Sequence, residues 1–252
     1  MNHPRYSIVI PAYNETARIE RALSSVSGCV RERGWDAEVL VVDDGSTDDT
    51  AALVEKWARQ HPEVRLIRNE RNRGKGYSVR NGMLRAAGEI VMFTDADLSS
   101  PIEEAERLFA AIGEGADIAI GSRWLIGRRI VHKQPLYRRV FGRCFNALTR
   151  TIMRLPFADT QCGFKAFRRE AAHLVFGLQR IERWGFDPEI LFLASKFGLR
   201  VEEVPVQWAH RAGTRINPLR DGARMFAEMV KIRWFSISGK YDTHQPPAVA
   251  SL

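Results

Sequence analysis

Cysteine is scarce in this 252-residue chain, and so is any long apolar run. The three cysteines, Cys29, Cys144 and Cys162, are odd in number and show neither CxxC nor metal-type spacing. That excludes a disulfide scaffold and a zinc module, and points to a reducing compartment. No stretch approaches the ~18–20 apolar residues of a membrane span. Met1-Asn2-His3-Pro4-Arg5 leads directly into a strand-like segment and leaves no room for a signal peptide. Repeats, low-complexity tracts, a GxGxxG fingerprint and a P-loop are also missing. The expectation is a cytoplasmic protein, with peripheral membrane attachment open.

One further absence is local. The chain carries a formal +8, from 38 Lys and Arg against 30 Asp and Glu. Between Asp117 and Asp159 there is no acidic residue, while Arg123, Arg128, Arg129, Lys133, Arg138, Arg139, Arg143, Arg150 and Arg154 supply nine positive charges. Elsewhere 29 basic residues face 30 acidic ones. A near-neutral body with one basic segment implies a local anionic partner.

What is present is an alternation of strand and helix signals. Tyr6–Pro11, Val39–Val42, Val64–Ile67, Ile90–Thr94 and Ile118–Ile120 are short continuous apolar runs, as buried parallel strands require. Between them lie helical patterns over Glu15–Val30, around Ala51, Val54 and Trp57, over Gly76–Ala87, and over Glu103–Ile112. This order predicts an α/β fold with a mostly parallel central sheet flanked by helices. Further on, Tyr137–Leu155 reads as a basic amphipathic helix, with Leu148 and Ile152 among its apolar positions. Asp159–Phe167 reads as turn and strand, Pro188–Phe197 as helix, Arg200–Trp208 as strand and Pro218–Phe235 as a final helix. One domain over 1–239, including the basic segment 123–155, is expected, with 240–252 a flexible tail.

Ligands of open α/β sheets collect at the carboxyl ends of the strands. Three such ends carry unusual chemistry: Pro11-Ala12-Tyr13-Asn14-Glu15, Asp43-Asp44-Gly45-Ser46 and Asp95-Ala96-Asp97. Two carboxylates two residues apart repel each other unless a cation lies between them, and oxygen ligands suit Mg²⁺ or Mn²⁺. The competing reading is a helix-capping turn, because Ser99, Ser100 and Pro101 follow. Asp43-Asp44-Gly45-Ser46 has the same two readings. Tyr13, Asn14 and Glu15 suit either a helix start or a nucleobase and ribose. Arg73-Gly74-Lys75-Gly76 opens a helix, so it is an anion site or a solvated loop.

In order along the chain, these motifs together with Asn72-Arg73-Gly74-Lys75-Gly76 and Gly121-Ser122-Arg123 resemble glycosyltransferase family 2, over residues ~6–235. Asp159-Thr160-Gln161-Cys162-Gly163-Phe164-Lys165, Glu182-Arg183-Trp184-Gly185-Phe186-Asp187 and Glu203-Val204-Pro205-Val206-Gln207-Trp208 resemble its dolichyl-phosphate glucosyltransferase branch. The resemblance implies a GT-A nucleotide-sugar fold. It implies a nucleotide pocket of Pro11, Tyr13, Glu15, Val42, Asp44, Lys75, Asp95 and Ala96, and Mg²⁺ or Mn²⁺ on Asp95 and Asp97. Asp97, Arg123, Asp159 and Gln161 become the catalytic candidates, and Arg138, Arg139, Arg211 and Arg215 the acceptor-phosphate contacts. Arg215 stands where the family more often has lysine, and Ser99 where mannose synthases have glutamine. Many lipid-phosphate members also carry membrane spans, which are lacking here.

The implied reaction is inverting hexose transfer, glucose from UDP-glucose, to a polyprenyl phosphate at an anionic membrane surface. A phosphate acceptor is already ionised and needs positive charge more than a base. The alternatives are mannose from GDP-mannose, a soluble acceptor, or a non-enzymatic nucleic-acid binder. The last is weakest, since no nucleic-acid motif is found and the charge falls on one helix.

Overall fold

A computed structural model describes residues 3–125, 130–132, 136–209 and 218–242. Arg211 and Arg215 lie outside these residues, and the side chains of Arg138 and Arg139 outside the described side chains. The elements run β1 (Tyr6–Ala12), α1 (Ile19–Glu32), β2 (Ala37–Asp43), α2 (Thr50–Ala58), β3 (Val64–Arg68), α3 (Lys75–Arg85), β4 (Ile90–Thr94), α4 (Ala105–Gly113), β5 (Ile118–Ser122), β6 (Ile130–His132), α5 (Leu136–Met153), β7 (Phe164–Arg168), α6 (Arg169–Leu178), α7 (Phe186–Lys196), β8 (Val201–Pro205), β9 (Trp208–Ala209) and α8 (Pro218–Ile237).

Seven strands form one sheet in the order β3-β2-β1-β4-β7-β5-β8. β1 pairs in parallel with β2 and β4, β2 with β3, and β5 with β8. Only β7 is reversed, antiparallel to both β4 and β5. That reversal positions the site. Loops that follow β1, β2, β4 and β5 emerge at one edge, and an antiparallel strand brings the loop that precedes it to the same edge. Phe164 at the start of β7 therefore pairs with Thr94 at the end of β4, and residues 159–163 lie beside 95–97.

The strands are apolar throughout because both faces are covered. Alternate residues enter different layers, as the two-residue strand period demands. Val9, Leu40, Val42, Val91 and Phe93 join the layer under α3, α6, α7 and α8. Ile8, Ile10, Val39, Val41 and Met92 join the layer under α1 and α4. β6 and β9 form a separate two-stranded pair, and Ala209 N–H donates to Ser99 O at 2.8 Å, which seats Trp208 by the site.

Two segments depart from the sequence expectations. Residues 240–242 are not a frayed tail. The Tyr241 side chain is fully buried and donates to Glu189 Oε1 at 2.5 Å, and Lys240 O accepts from the Arg180 guanidinium at 2.8 Å. On α5, Leu148 is exposed although its spacing suggested burial; Asn146, Thr149 and Met153 face inward instead. The inward polar groups have work there, described below.

Candidate active site

Asp43 and Asp44 end β2 and turn in different directions. Asp43 accepts from Ser46 N–H through both oxygens, at 3.2 and 3.3 Å, and so closes its own turn. Buried Asp44 reaches across to the start of α3. Its Oδ1 accepts from Asn69 Nδ2 at 2.8 Å and Arg73 N at 3.1 Å, and its Oδ2 from Gly74 N at 2.7 Å. The helix N-terminus at Arg73-Gly74 thus holds an anion, an internal one. Gly74 is required there: its φ is +112°, and a Cβ would lie 2.7 Å from Glu182 O. Asn14, also at positive φ (52°), ties the first strand end to the second. Its N–H donates to Ser46 Oγ at 2.9 Å, and its Oδ1 accepts from Thr47 N at 2.8 Å. Glu15 pairs with Arg18 at 2.7 Å, and Tyr13 is exposed at the same edge.

The Asp95–Asp97 segment is a turn, as Leu98 N–H donates to Asp95 O at 3.0 Å. Asp97 Oδ1 accepts from Ser99 N–H at 2.9 Å. The capping-type turn and the carboxylate pair are therefore compatible readings of one structure. Asp97 also borders a cleft of about 410 Å³ lined by Arg18, Arg21, Ser25 and Leu98. Asp95 meets Lys75, whose Nζ lies 2.5 Å from Oδ1. Burial would lower the Lys75 pKa, but attraction to Asp95, and then to Asp187 and Asp97, outweighs it and raises the value. The ammonium stays charged among three carboxylates.

Gly163 packs against that carboxylate so closely that a Cβ would fall 2.8 Å from Asp95 Cγ. Two residues on, fully buried Lys165 donates to Asp187 Oδ1 and to Cys162 O, each at 2.5 Å. Asp187 belongs to the Glu182–Asp187 motif, which folds over the Arg73–Gly76 loop. Arg73 pairs with Glu182, Tyr77 N–H donates to Glu182 O at 2.9 Å, and the Trp184 ring centroid lies 5.5 Å from Lys75 Nζ.

Arg123, just beyond β5, forms a two-pronged pair with fully buried Asp159. Nε lies 2.7 Å from Oδ2 and Nη2 2.9 Å from Oδ1. Oδ2 also accepts Arg123 N at 3.0 Å, and Oδ1 accepts Gln161 N at 3.2 Å. Burial alone would raise the Asp159 pKa; the Arg123 charge and these hydrogen bonds overturn that and lower it. Burial works against the Arg123 charge, but Asp159 holds its pKa above the usual value. Four hydrogen bonds thus converge on Asp159, three of them from Arg123. The loop is itself gripped: Ala158 N and Asp159 N donate to Glu203 at 2.8 Å each. Asn146 of α5 donates to Ala158 O at 2.6 Å and accepts from Thr160 Oγ1 at 2.9 Å.

Of the residues singled out by sequence, the structure gathers Asp95, Ala96, Asp97, Lys75, Arg123, Asp159 and Gln161 at one edge, with Pro11, Tyr13 and Glu15 on the adjoining strand end. Val42 is different. Its side chain is fully buried in the core and packs toward Gly82. Gln161 brings a buried Nε2 that has no hydrogen-bond partner among the described residues. Sequence reasoning assigned no role to Gly163, Lys165, Asp187, Asn146 or Glu203. Four of these stand in motifs quoted above, which was the available signal; Asn146, inside a helical pattern, gave none.

The donor set suits a hard divalent cation. Two carboxylates project from one turn, a glycine keeps space beside Asp95, and the remaining ligands of Mg²⁺ or Mn²⁺ commonly come from water and substrate phosphates. Among the described residues there is no group of three or more His, Cys, Asp or Glu that could hold a metal ion by itself.

A mostly parallel sheet whose edge gathers a carboxylate turn and basic side chains is the architecture of GT-A nucleotide-sugar transferases. Solved structures agree. Glucosyl-3-phosphoglycerate synthase from Mycobacterium tuberculosis, solved with Mn²⁺, UDP and glucosyl-3-phosphoglycerate, superposes with a TM-score of 0.65 at 25% identity, over 94% of this chain and 80% of that one. A mannosyltransferase from Pyrobaculum calidifontis, at 22% identity and TM-score 0.58, covers 93% of this chain and 70% of its own and shares the fold. The chain belongs to glycosyltransferase family 2: residues 7–176 match the family described as Glycosyl transferase family 2. It is a nucleotide-sugar-dependent glycosyltransferase. Similar relatives include the dolichyl-phosphate beta-glucosyltransferases of Dictyostelium discoideum (34% identical, 92% of this chain, 75% of the relative) and Homo sapiens (30%, 95% and 78%).

Proposed function

We propose that the enzyme transfers glucose from UDP-glucose, with inversion, to a polyprenyl or dolichyl phosphate presented at an anionic membrane surface. The observation that carries this reading is the pairing of Lys75 with Asp95 of the Asp95–Asp97 turn, against which Gly163 packs from the loop that carries Asp159, the partner of Arg123, in a chain whose relatives over nine-tenths of its length are named dolichyl-phosphate beta-glucosyltransferases.

Displacement at the anomeric carbon places developing negative charge on the leaving diphosphate. Asp95 and Asp97 would hold Mg²⁺ or Mn²⁺ beside it, and that ion supplies Lewis-acid neutralisation of the leaving oxygens. Lys75 adds a fixed ammonium at the same carboxylate. Arg123, held by Asp159 beside the same edge, is the proposed contact to the sugar-phosphate region. Tyr13, Pro11 and Glu15 border the nucleoside. The nucleophile is a phosphate oxygen that already carries charge at neutral pH, so no general base is assigned. Arg138, Arg139, Arg211 and Arg215 are the proposed seats of the acceptor phosphate. Among the described residues no helix is long and apolar enough to cross a membrane. Attachment through basic residues, each worth about 1 kcal/mol near an anionic surface, is the proposed contact with the membrane.

The test is glucose transfer to a polyprenyl phosphate with Mn²⁺, comparing wild type with Asp97→Asn. A fall of about a hundredfold or more is expected if the carboxylate organises the leaving group; unchanged turnover overturns its role. A thermal-shift panel of UDP and GDP separates donors, because binding stabilises by mass action. A soluble phosphorylated acceptor is the second reading, favoured by the likeness to the phosphoglycerate enzyme. Transfer to 3-phosphoglycerate but not to polyprenyl phosphate would establish it.

A further inference from the structure

The outer face of α8 is apolar where water should favour polar groups. Phe226 (44% exposed), Val230 (52%), Trp234 (54%) and Ile237 (81%) recur at i, i+4, i+8 and i+11. That spacing puts all four within about 80° of arc on one side of the helix. A different side, carrying Met229, Ile232 and Phe235, is buried against the protein, so the exposed residues are not needed for the core. Contiguous exposed apolar side chains of this size mark an interaction surface.

The surroundings of the stripe decide what it meets. From Gly222 to Lys240 the basic residues are Arg224, Lys231, Arg233 and Lys240, and the single acid is Glu228. Glu228 is turned away, accepting Gly185 N–H at 2.8 Å. The Lys240 ammonium lies 4.3 Å from the Trp234 ring centroid, while Lys231 and Arg233 lean over Phe235 and Phe192. An apolar stripe that contains an indole with an ammonium over it, and that has further basic residues on the same helix, matches the headgroup boundary of a bilayer. A protein partner fitting the same stripe would need its own acidic rim; an anionic leaflet supplies one everywhere.

We propose that this face of α8 is the membrane-docking surface, inserting Phe226, Val230, Trp234 and Ile237 into the headgroup region of an anionic bilayer with Arg224, Lys231, Arg233 and Lys240 on lipid phosphates. The inference rests on the membrane-surface acceptor proposed above and refines it. The basic helix α5 was the expected docking element, and α8, which packs against it, now carries the insertion. Leu148 of α5 is exposed as well.

Flotation of the purified full chain with vesicles of phosphatidylcholine alone, and of phosphatidylcholine mixed three to one with phosphatidylserine, tests it. The wild type is expected to float with the anionic vesicles and not with the neutral ones. The double substitution Val230→Asp, Trp234→Ser should weaken partitioning at least about tenfold. Arg224→Gln with Lys231→Gln should weaken it about fivefold for each charge removed. Stabilisation by UDP with Mn²⁺ should be unchanged in both, showing that the fold and donor site are intact. Wild-type indifference to anionic lipid, or equal flotation of the double variant, overturns the proposal. So does a wild-type dimer that the double variant dissociates without change in vesicle binding, because the stripe would then face a second copy. Transfer to a short, water-soluble polyprenyl phosphate without vesicles tests the acceptor separately. Its failure would remove the lipid-phosphate reading whatever flotation shows.

Discussion

Replacing Asp159 by asparagine separates a proton acceptor from a holder of Arg123. The carboxylate takes Arg123 Nη2 and Gln161 N on Oδ1, and Arg123 Nε and N on Oδ2. An amide can be an acceptor on only one of these sides. Either orientation turns an NH₂ group toward two donors, and the guanidinium loses its counter-charge. Breaking a buried ion pair by removing one partner costs about 3–5 kcal/mol. Asp159 is fully buried, but the Arg123 side chain is 25% exposed, so water can reach the stranded cation and the lower end applies. About 3 kcal/mol is expected in urea denaturation, with a Tm lower by roughly 6–12 °C in a chain of this size. The pH dependence has a definite sign. Because folding lowers the Asp159 pKa, its stabilisation is present above the ordinary carboxylate range and is lost as pH falls through the folded value. That acid-side loss should be missing from the variant. Replacing both partners by apolar residues, Arg123→Met with Asp159→Leu, should cost less stability than the sum of the single changes. A single variant within about 1 kcal/mol of wild type but devoid of turnover would refute the reasoning and make Asp159 a proton acceptor.

Burial pushes the Glu189 carboxyl up from 4.5 to about 7. Between those values the folded chain keeps a proton that the unfolded chain has released, so stability should fall as pH rises through that window; Tm against pH should be flatter for Glu189→Gln. Tyr241→Ala should cost about 3–5 kcal/mol in denaturant titration, as for other large buried rings, whereas a frayed tail would show no effect. Gly163→Ala should displace Asp95, whose Cγ a Cβ would approach to 2.8 Å. Mn²⁺-dependent UDP binding by calorimetry should weaken by about tenfold or more, and equal binding would show that Asp95 can yield without loss.

Much of this structure is legible in the sequence because the strands are short apolar runs and their ends are chemically loud. Ile90–Thr94 is predicted to the residue, and Asp95-Ala96-Asp97 follows it at the edge where ligands collect. Periodicity could not show that β7 is reversed, since strand direction leaves no mark on a run such as Phe164–Arg168. Yet that reversal is what brings Asp159–Gly163 to Asp95. α6 (Arg169–Leu178) was missed in the same region, where strand and helix are joined without a loop. Val42 shows how a residue within a motif at the site's edge can also serve the core through its side chain. Tyr241 was read as tail because proline and polar residues follow it, but its hydroxyl reaches Glu189, 52 positions earlier; pairing over such a separation is invisible to local composition.

Charge is the quantity most altered by folding. The acid-free segment 118–158 has nine basic residues in sequence, yet Arg123 finds its carboxylate in Asp159, 36 positions away and one residue beyond the segment. An internally neutralised arginine contributes nothing to long-range attraction, and within the ~8 Å over which salt screens exposed charges only solvent-facing cations steer a partner. Arg150 and Arg154 remain exposed at the end of α5. Segment 222–240 is unremarkable by count, with four bases and one acid, but its acid is turned inward to Gly185 while an apolar stripe faces out. The α8 face is the one proposed to meet a membrane because its described acid is directed away from the stripe while its apolar side chains are exposed.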